Sequence, residues 1–123
     1  MRAIAAETRG LPIYEQQEGR GIGLMAKLQA YALQDEGLDT IAANHALGFE
    51  ADYRDFMLPA AILDYLGVRH IRLLSNNPEK RRALAKTGIA IVEQISCEAP
   101  PSSYSTGYLG IKKYRMGHTL KLV

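Results

Sequence analysis

The sequence predicts an α/β fold in one domain spanning residues 1–123, with a mixed, partly parallel sheet flanked by helices. Three observations carry this. An apolar run at 70–75, a helix-forming stretch opened by Asn77-Pro78, and a second apolar run at 89–95 have the spacing of a βαβ unit, whose strands run parallel with a right-handed crossover. An amphipathic stretch at 22–36 places Leu24, Leu28, Tyr31 and Ala32 at i, i+4, i+7 and i+8, one helical stripe. A third helical stretch at 52–66 ends before Gly67.

The elements follow in order. Residues 2–7 read as the end of a helix, with Gly10 as terminator, and residues 11–16 as a short strand. Glycines at 19, 21 and 23 precede the first long helix, and Gly37 supplies a residue tolerant of positive φ after it. In 52–66, Asp52 or Asp55 is available to cap the helix, and Pro59 requires a place in the first turn. Asn77 suits an N-cap with Pro78 at the first helical position, and Gly88 closes that helix. Residues 97–107, rich in Pro and Ser, form a loop, and 108–120 a last helix or turn with a basic face.

Bulk composition narrows the function. Of the 123 residues 47% are hydrophobic and 23% charged, ordinary globular usage. Fifteen Lys and Arg against thirteen Asp and Glu give a net charge of +2, too little to imply nucleic acid or a membrane surface. The longest apolar run, 56–63, contains Pro59 and falls far short of the roughly 20 residues that span a bilayer. Cys97 is the one cysteine, so no internal disulfide and no multi-cysteine zinc site is available from these residues. A reducing cytoplasm is the expected location.

Three segments carry candidate chemistry. Glu18-Gly19-Arg20-Gly21-Ile22-Gly23 opens a helix, where a glycine backbone and N–H groups approach an anion and Arg20 adds a bidentate clamp; the alternative is a flexible turn. Ser75-Asn76-Asn77-Pro78-Glu79-Lys80 lies past the carboxyl end of a strand, where open parallel sheets bind ligands; the alternative is a well-capped turn. In Asp52-Tyr53-Arg54-Asp55, Asp52 is a candidate general base and Arg54 a stabiliser of negative charge; the alternative is that Asp52 caps a helix and Arg54 pairs with a neighbour such as Glu50. His45, His70 and His118 show no metal-ligand spacing and read as surface or hydrogen-bonded residues, and Lys112, Lys113 and Arg115 as a solvated basic face.

The order of these segments resembles a known family. Tyr14, the run 17–24 and Ala30-Tyr31-Ala32-Leu33-Gln34-Asp35 are similar to the heart of GTP cyclohydrolase II. So are Ala43-Asn44-His45, Leu47-Gly48-Phe49, then Asp52, Arg54, Asp55 and Phe56. Leu73-Leu74-Ser75-Asn76-Asn77-Pro78 with Lys80 resembles a further family segment, and Tyr108-Leu109, Lys112 and Met116-Gly117-His118 its closing motif. Ser75 stands where the family usually has threonine, Ile111 replaces a usual threonine, and the loop 98–107 matches poorly.

The resemblance implies a hydrolase that opens the imidazole ring of GTP and releases formate and pyrophosphate, the first step of riboflavin biosynthesis. It implies zinc and magnesium as cofactors and a homodimer. It makes Glu18, Gly19, Arg20, Thr40, Ser75 and Lys80 contacts to GTP or a related purine nucleotide. Asp52 takes the proton-acceptor role, Arg54 that of nucleophile, and Tyr31 lines the same site. A guanidinium, however, stays protonated in proteins, so the chemistry of Arg54 fits a phosphate clamp better. The family's zinc ligands are three cysteines in a segment preceding the part matched here, and residues 1–10 resemble the end of the helix that follows it. The expectation is therefore a truncated domain: a fragment or half-enzyme that works with a complementary zinc-binding half. Two alternatives stand beside it, a metal-free nucleotide-binding protein or pseudoenzyme, and a structural or interaction module.

Overall fold

The computed structural model describes residues 1–50 and 52–123. Six α-helices and two strands lie among them: α1 (Arg2–Ala5), α2 (Leu24–Asp35), α3 (Thr40–Ala46), α4 (Met57–Tyr65), β1 (His70–Leu74), α5 (Pro78–Ala85), β2 (Ala90–Ile95) and α6 (Thr106–Met116). A 3-10 turn, Glu18–Gly21, precedes α2. The sheet is a parallel pair, His70 opposite Ala90 and Leu74 opposite Ile95, with an irregularity between Ile71 and Arg72. The mixed sheet expected from sequence is corrected to this parallel pair among the described residues.

Local chemistry fixes several boundaries. Asn77 caps α5, its Oδ1 accepting from the Glu79 N–H at 2.9 Å, and Pro78 opens the helix. Asp39 caps α3, accepting from the Ile41 and Ala42 N–H groups, each at 2.9 Å. That helix was not foreseen. Gly67 and Gly88, at φ of 69° and 81°, turn the chain out of α4 and α5 toward the strands that follow.

Two expectations fail for identifiable reasons. Residues 11–16 form no strand; Pro12 offers no N–H, and Ile13 packs on the core instead of pairing. The helix expected from Asp52 starts at Met57, because the Asp52 carboxylate is committed to Arg54 and Asp55 accepts from the Met57 N–H at 2.8 Å. Pro59 consequently falls in the first turn, as its chemistry requires.

The core gathers Ala60, Leu63, Leu84 and Ile89, joined by partly buried Ile13, Val68, Ile71, Leu73 and Ile91. Burial of this cluster seats α4 and α5 on the β1–β2 pair, and with it the loop 75–77 at the strand end. The predicted apolar stripe of α2 is corrected. Leu24, Leu28 and Tyr31 are exposed, and Ala26 and Ala30 are the buried face. α2 packs on α3, and small side chains on a buried face permit close approach of neighbouring elements. Among the described residues no helix is long and apolar enough to cross a membrane.

Candidate functional site

The glycine segment folds into a conformation that few sequences adopt. Gly19, Arg20, Gly21 and Gly23 all have positive φ (62°, 57°, 91° and 87°), and Arg20 is the one such non-glycine among the described residues. A left-handed arginine costs energy, and such strain is found where the fold needs the side chain aimed in one direction. The turn is locked by the Gly23 N–H to the Glu18 carbonyl at 3.0 Å and by the Tyr53 N–H to the Arg20 carbonyl at 2.8 Å. The Glu18 carboxylate accepts from the Gly19 N–H at 2.9 Å and from Lys27 at 2.7 Å, so it braces the turn from within. Lys27 in turn lies 5.7 Å from the Tyr31 ring centroid.

Gly21 is where this turn meets the Asp52–Arg54 segment. A Cβ built there would stand 3.0 Å from the Tyr53 carbonyl carbon and 3.1 Å from its oxygen. Gly21→Ala is therefore expected to destabilise the protein by roughly 1–3 kcal/mol, from left-handed strain and backbone collision together. A urea midpoint equal to that of the unaltered protein would contradict it.

Arg54 and Asp52 form a bidentate pair, Nε to Oδ1 at 2.9 Å and Nη2 to Oδ2 at 2.5 Å. The Arg54 N–H also donates to Asp52 Oδ1 at 3.0 Å. Burial by itself raises the Asp52 carboxyl, but the hydrogen bonds and charge of Arg54, with Arg20 beyond, carry it below the usual carboxylate range. The Asp52 hydrogen bond likewise raises Arg54 above its ordinary value, against the effect of burial. Asp52 is thus an ionised acceptor already engaged, and Arg54 a firmly protonated cation. The pairing with a neighbour such as Glu50 is corrected to Asp52.

Phe56 joins this pair to Lys80: the Arg54 guanidinium lies 5.2 Å and the Lys80 ammonium 5.8 Å from its ring centroid. Burial, and then the neighbouring Arg54 charge, push the Lys80 ammonium below the ordinary lysine value. Two cations sharing one aromatic ring, only one of them paired with a carboxylate, form a place where a polyanion gains from both. Ser75 reaches the same region but is buried, its Oγ accepting from the Asn77 N–H at 3.2 Å.

An open cleft of about 810 Å³ brings Glu18, Gly19, Arg20, Tyr31 and Arg54 together. A smaller adjoining space of about 70 Å³ adds Thr40, whose hydroxyl donates to Gln34 Oε1 at 3.3 Å. Ser75, Lys80 and Phe56 instead line a neighbouring apolar cavity of about 1080 Å³, and Glu15 borders both it and the open cleft. Asp52 borders none of these spaces directly and is paired with Arg54, which lines the open cleft.

Sequence reasoning missed one wall. Tyr104, Ser105 and Tyr108, at and just before the start of α6, line the cleft. Tyr108 Oη accepts from Arg20 Nη2 at 3.4 Å, and Lys112 sits 4.2 Å from the Tyr108 ring centroid. The basic run is therefore divided: Lys112 turns to Tyr108, and Arg115 pairs with Asp39. His118 is half-buried, and burial, followed by the charges of Lys112, Arg20 and Arg54, holds its pKa down. The available signal was Tyr108 and Lys112 at i and i+4 on a helix, which places both on one face.

The described residues do not fit zinc. Cys97 is exposed on the loop after β2, and no group of three His, Cys, Asp or Glu side chains converges among them.

A family model described as GTP cyclohydrolase II matches residues 1–96. The chain is 50% identical over 118 residues to a GTP cyclohydrolase-2 of Actinobacillus succinogenes, covering 96% of this chain and 54% of that protein. It is 52% identical to a GTP cyclohydrolase-2 of Histophilus somni, again over 96% of this chain and 55% of the relative. It is 50% identical to the riboflavin biosynthesis protein RibBA of Parabacteroides distasonis, over 98% of this chain and 30% of the relative. The chain spans about half the length of the two cyclohydrolases that it matches.

Proposed function

The chain belongs to the GTP cyclohydrolase II family, and from that premise we propose that it holds the triphosphate and base of GTP for a hydrolase of riboflavin biosynthesis. The observation that carries this reading is the convergence of Arg20, Arg54 and Lys80, with Phe56 bridging the last two, around an open cleft and its neighbour. Arg54 and Arg20 bind phosphate oxygens and stabilise charge that develops there. Asp52 orients Arg54 and fixes its protonation. Tyr31 and Thr40 border the end of the cleft suited to the base, and Ser75 stabilises the loop that delivers Lys80. We take β1, α5 and β2 as one βαβ unit in a single domain over 1–123, which sets that loop at the carboxyl end of the strands.

Opening of the imidazole ring, with release of formate and pyrophosphate, is proposed for the complete enzyme, of which this chain supplies the nucleotide-holding half. Zinc would be held by a complementary half, and magnesium would arrive with the nucleotide's phosphates. The exposed stripe Leu24, Leu28 and Tyr31 supports contact with such a half or with a second copy in a homodimer. We place this chemistry in the cytoplasm as part of the same proposal. A second reading is nucleotide binding without turnover.

Calorimetry of the chain with GTP and magnesium tests the proposal. Lys80→Ala is expected to weaken binding by roughly 1.5–3 kcal/mol, the worth of a charge-assisted hydrogen bond. Absence of GTP binding by the unaltered chain, or equal affinity of the variant, would refute this role. Binding with no formate released, even with the complementary half and zinc supplied, would favour the second reading.

A further inference from the structure

Helix α6 is held over the cleft in an unusual way. None of its residues is fully buried, and Leu109, Ile111 and Met116 are half-buried, so apolar packing alone does not explain its position. Polar ties add to it. Arg115 pairs with Asp39 at the cap of α3. Beyond Gly117, in the left-handed conformation at φ 67°, the Thr119 N–H donates to the Asn76 carbonyl at 3.1 Å, and Asn76 Nδ2 donates back to the Thr119 carbonyl at 2.8 Å. The helix is thereby pinned to the loop that leads into α5, whose first turn carries Lys80.

This pinning brings two cations to one ring. The Arg20 guanidinium lies 5.7 Å and the Lys112 ammonium 4.2 Å from the Tyr108 centroid. Neither pairs with a carboxylate among the described residues. Arg20 Nη1 is buried and has no hydrogen-bond partner among them. A buried donor without an acceptor, beside a second unneutralised cation, is an arrangement that an oxyanion would satisfy. The phenol meanwhile supplies a weak stand-in for that anion, through its π face and its oxygen. Burial would raise the pKa of the Tyr108 hydroxyl, yet the Lys112 hydrogen bond and charge, followed by Arg20, carry it below the ordinary phenol value, as expected for an oxygen serving in that part.

We propose that Lys112 is a further polyphosphate-binding residue, which closes on the ligand's phosphate chain together with Arg20, and that Tyr108 is the positioning residue that holds the two cations ready. This rests on the nucleotide reading above, but extends the site to α6, beyond the residues that the family model matches.

The test is calorimetry of the full chain with magnesium-GTP and, separately, with inorganic tripolyphosphate, at several salt concentrations. Lys112→Ala is expected to weaken both ligands roughly ten- to a hundredfold and to flatten the salt dependence. Lys112→Arg should restore most of the affinity. Lys113→Ala, which removes an equal charge from a side chain engaged with Tyr114 and the Val123 carbonyl, should change neither. Tyr108→Phe should keep most of the affinity, whereas Tyr108→Leu should lose it at unchanged melting temperature. Unaltered GTP and tripolyphosphate binding by Lys112→Ala would overturn the proposal and leave the nucleotide reading standing. Tripolyphosphate binding that depends on Lys112, without GTP binding, would uphold the phosphate site and reject the nucleotide reading. Binding of neither probe by the unaltered chain would overturn both.

Discussion

Arg54→Ala is expected to lower GTP turnover by the complete enzyme roughly 10²–10³-fold, the loss seen when one preorganised charge stabiliser is removed, while the protein stays folded. The reasoning starts from the bidentate pair. Asp52 grips Nε and one Nη of Arg54, leaving Nη1 free of that carboxylate. The guanidinium serves as an oriented cation and not as a nucleophile, because the Asp52 hydrogen bond raises its pKa further. Arg54→Lys should restore only part of the activity, since an ammonium lacks the planar fork. Formate release by a folded Arg54→Ala enzyme at near-normal rate would sink this assignment.

The same variant makes a pH prediction of definite sign. The folded-state pKa of Asp52 is lowered, so the pair contributes stability above the unfolded carboxylate value of about 4 and loses it as pH falls through the folded value. Without Arg54, burial raises the carboxyl instead, and its ionised form becomes a liability near neutrality. The stability gap between the two proteins should therefore be widest near neutral pH and should shrink in acid. A gap that grows on acidification would contradict the pairing.

Asn76→Ala should cost about 2–4 kcal/mol of folding stability, by stranding buried polar groups that each cost about 1–3 kcal/mol when unpaired. Asn76 is 7% exposed. Its Nδ2 donates to Ser96 Oγ at 3.0 Å and to the Thr119 carbonyl at 2.8 Å, and its Oδ1 accepts from the Cys97 N–H at 2.7 Å. Alanine removes all three and releases the segment that follows α6. Ligand binding should weaken as well, because Tyr108 and Lys112 lose their fixed position. Asn76→Asp keeps the acceptor toward Cys97 and loses the donors, so it should fall between. A shift under about 0.5 kcal/mol, the range of ordinary surface changes, would mean that the tail is not held by this residue.

Much of the chain was legible because its causes are local. The capped start of α5 at Asn77-Pro78, the strand runs on either side, and the glycine exits at 67 and 88 each rest on interactions within a few residues. The Asp39 cap of α3 was equally local, and reading Thr40 only as a ligand contact hid it. The glycine loop and Arg54 were recognisable as chemistry, although not as neighbours.

Sequence by itself determined α2, α5 and the two parallel strands around α5, since hydrogen bonding and periodicity act over short separations, and the order of its motifs carried the resemblance to the family. Only the tertiary structure decided which stripe of α2 is buried. Periodicity marks an apolar face without saying whether a partner meets it, and here Ala26 and Ala30, not the leucines, are the buried residues of the helix. Only the tertiary structure also set Tyr108 against Arg20, 88 residues away. That contact depends on the docking of the chain end onto Asn76, a balance of buried amides that no local pattern encodes.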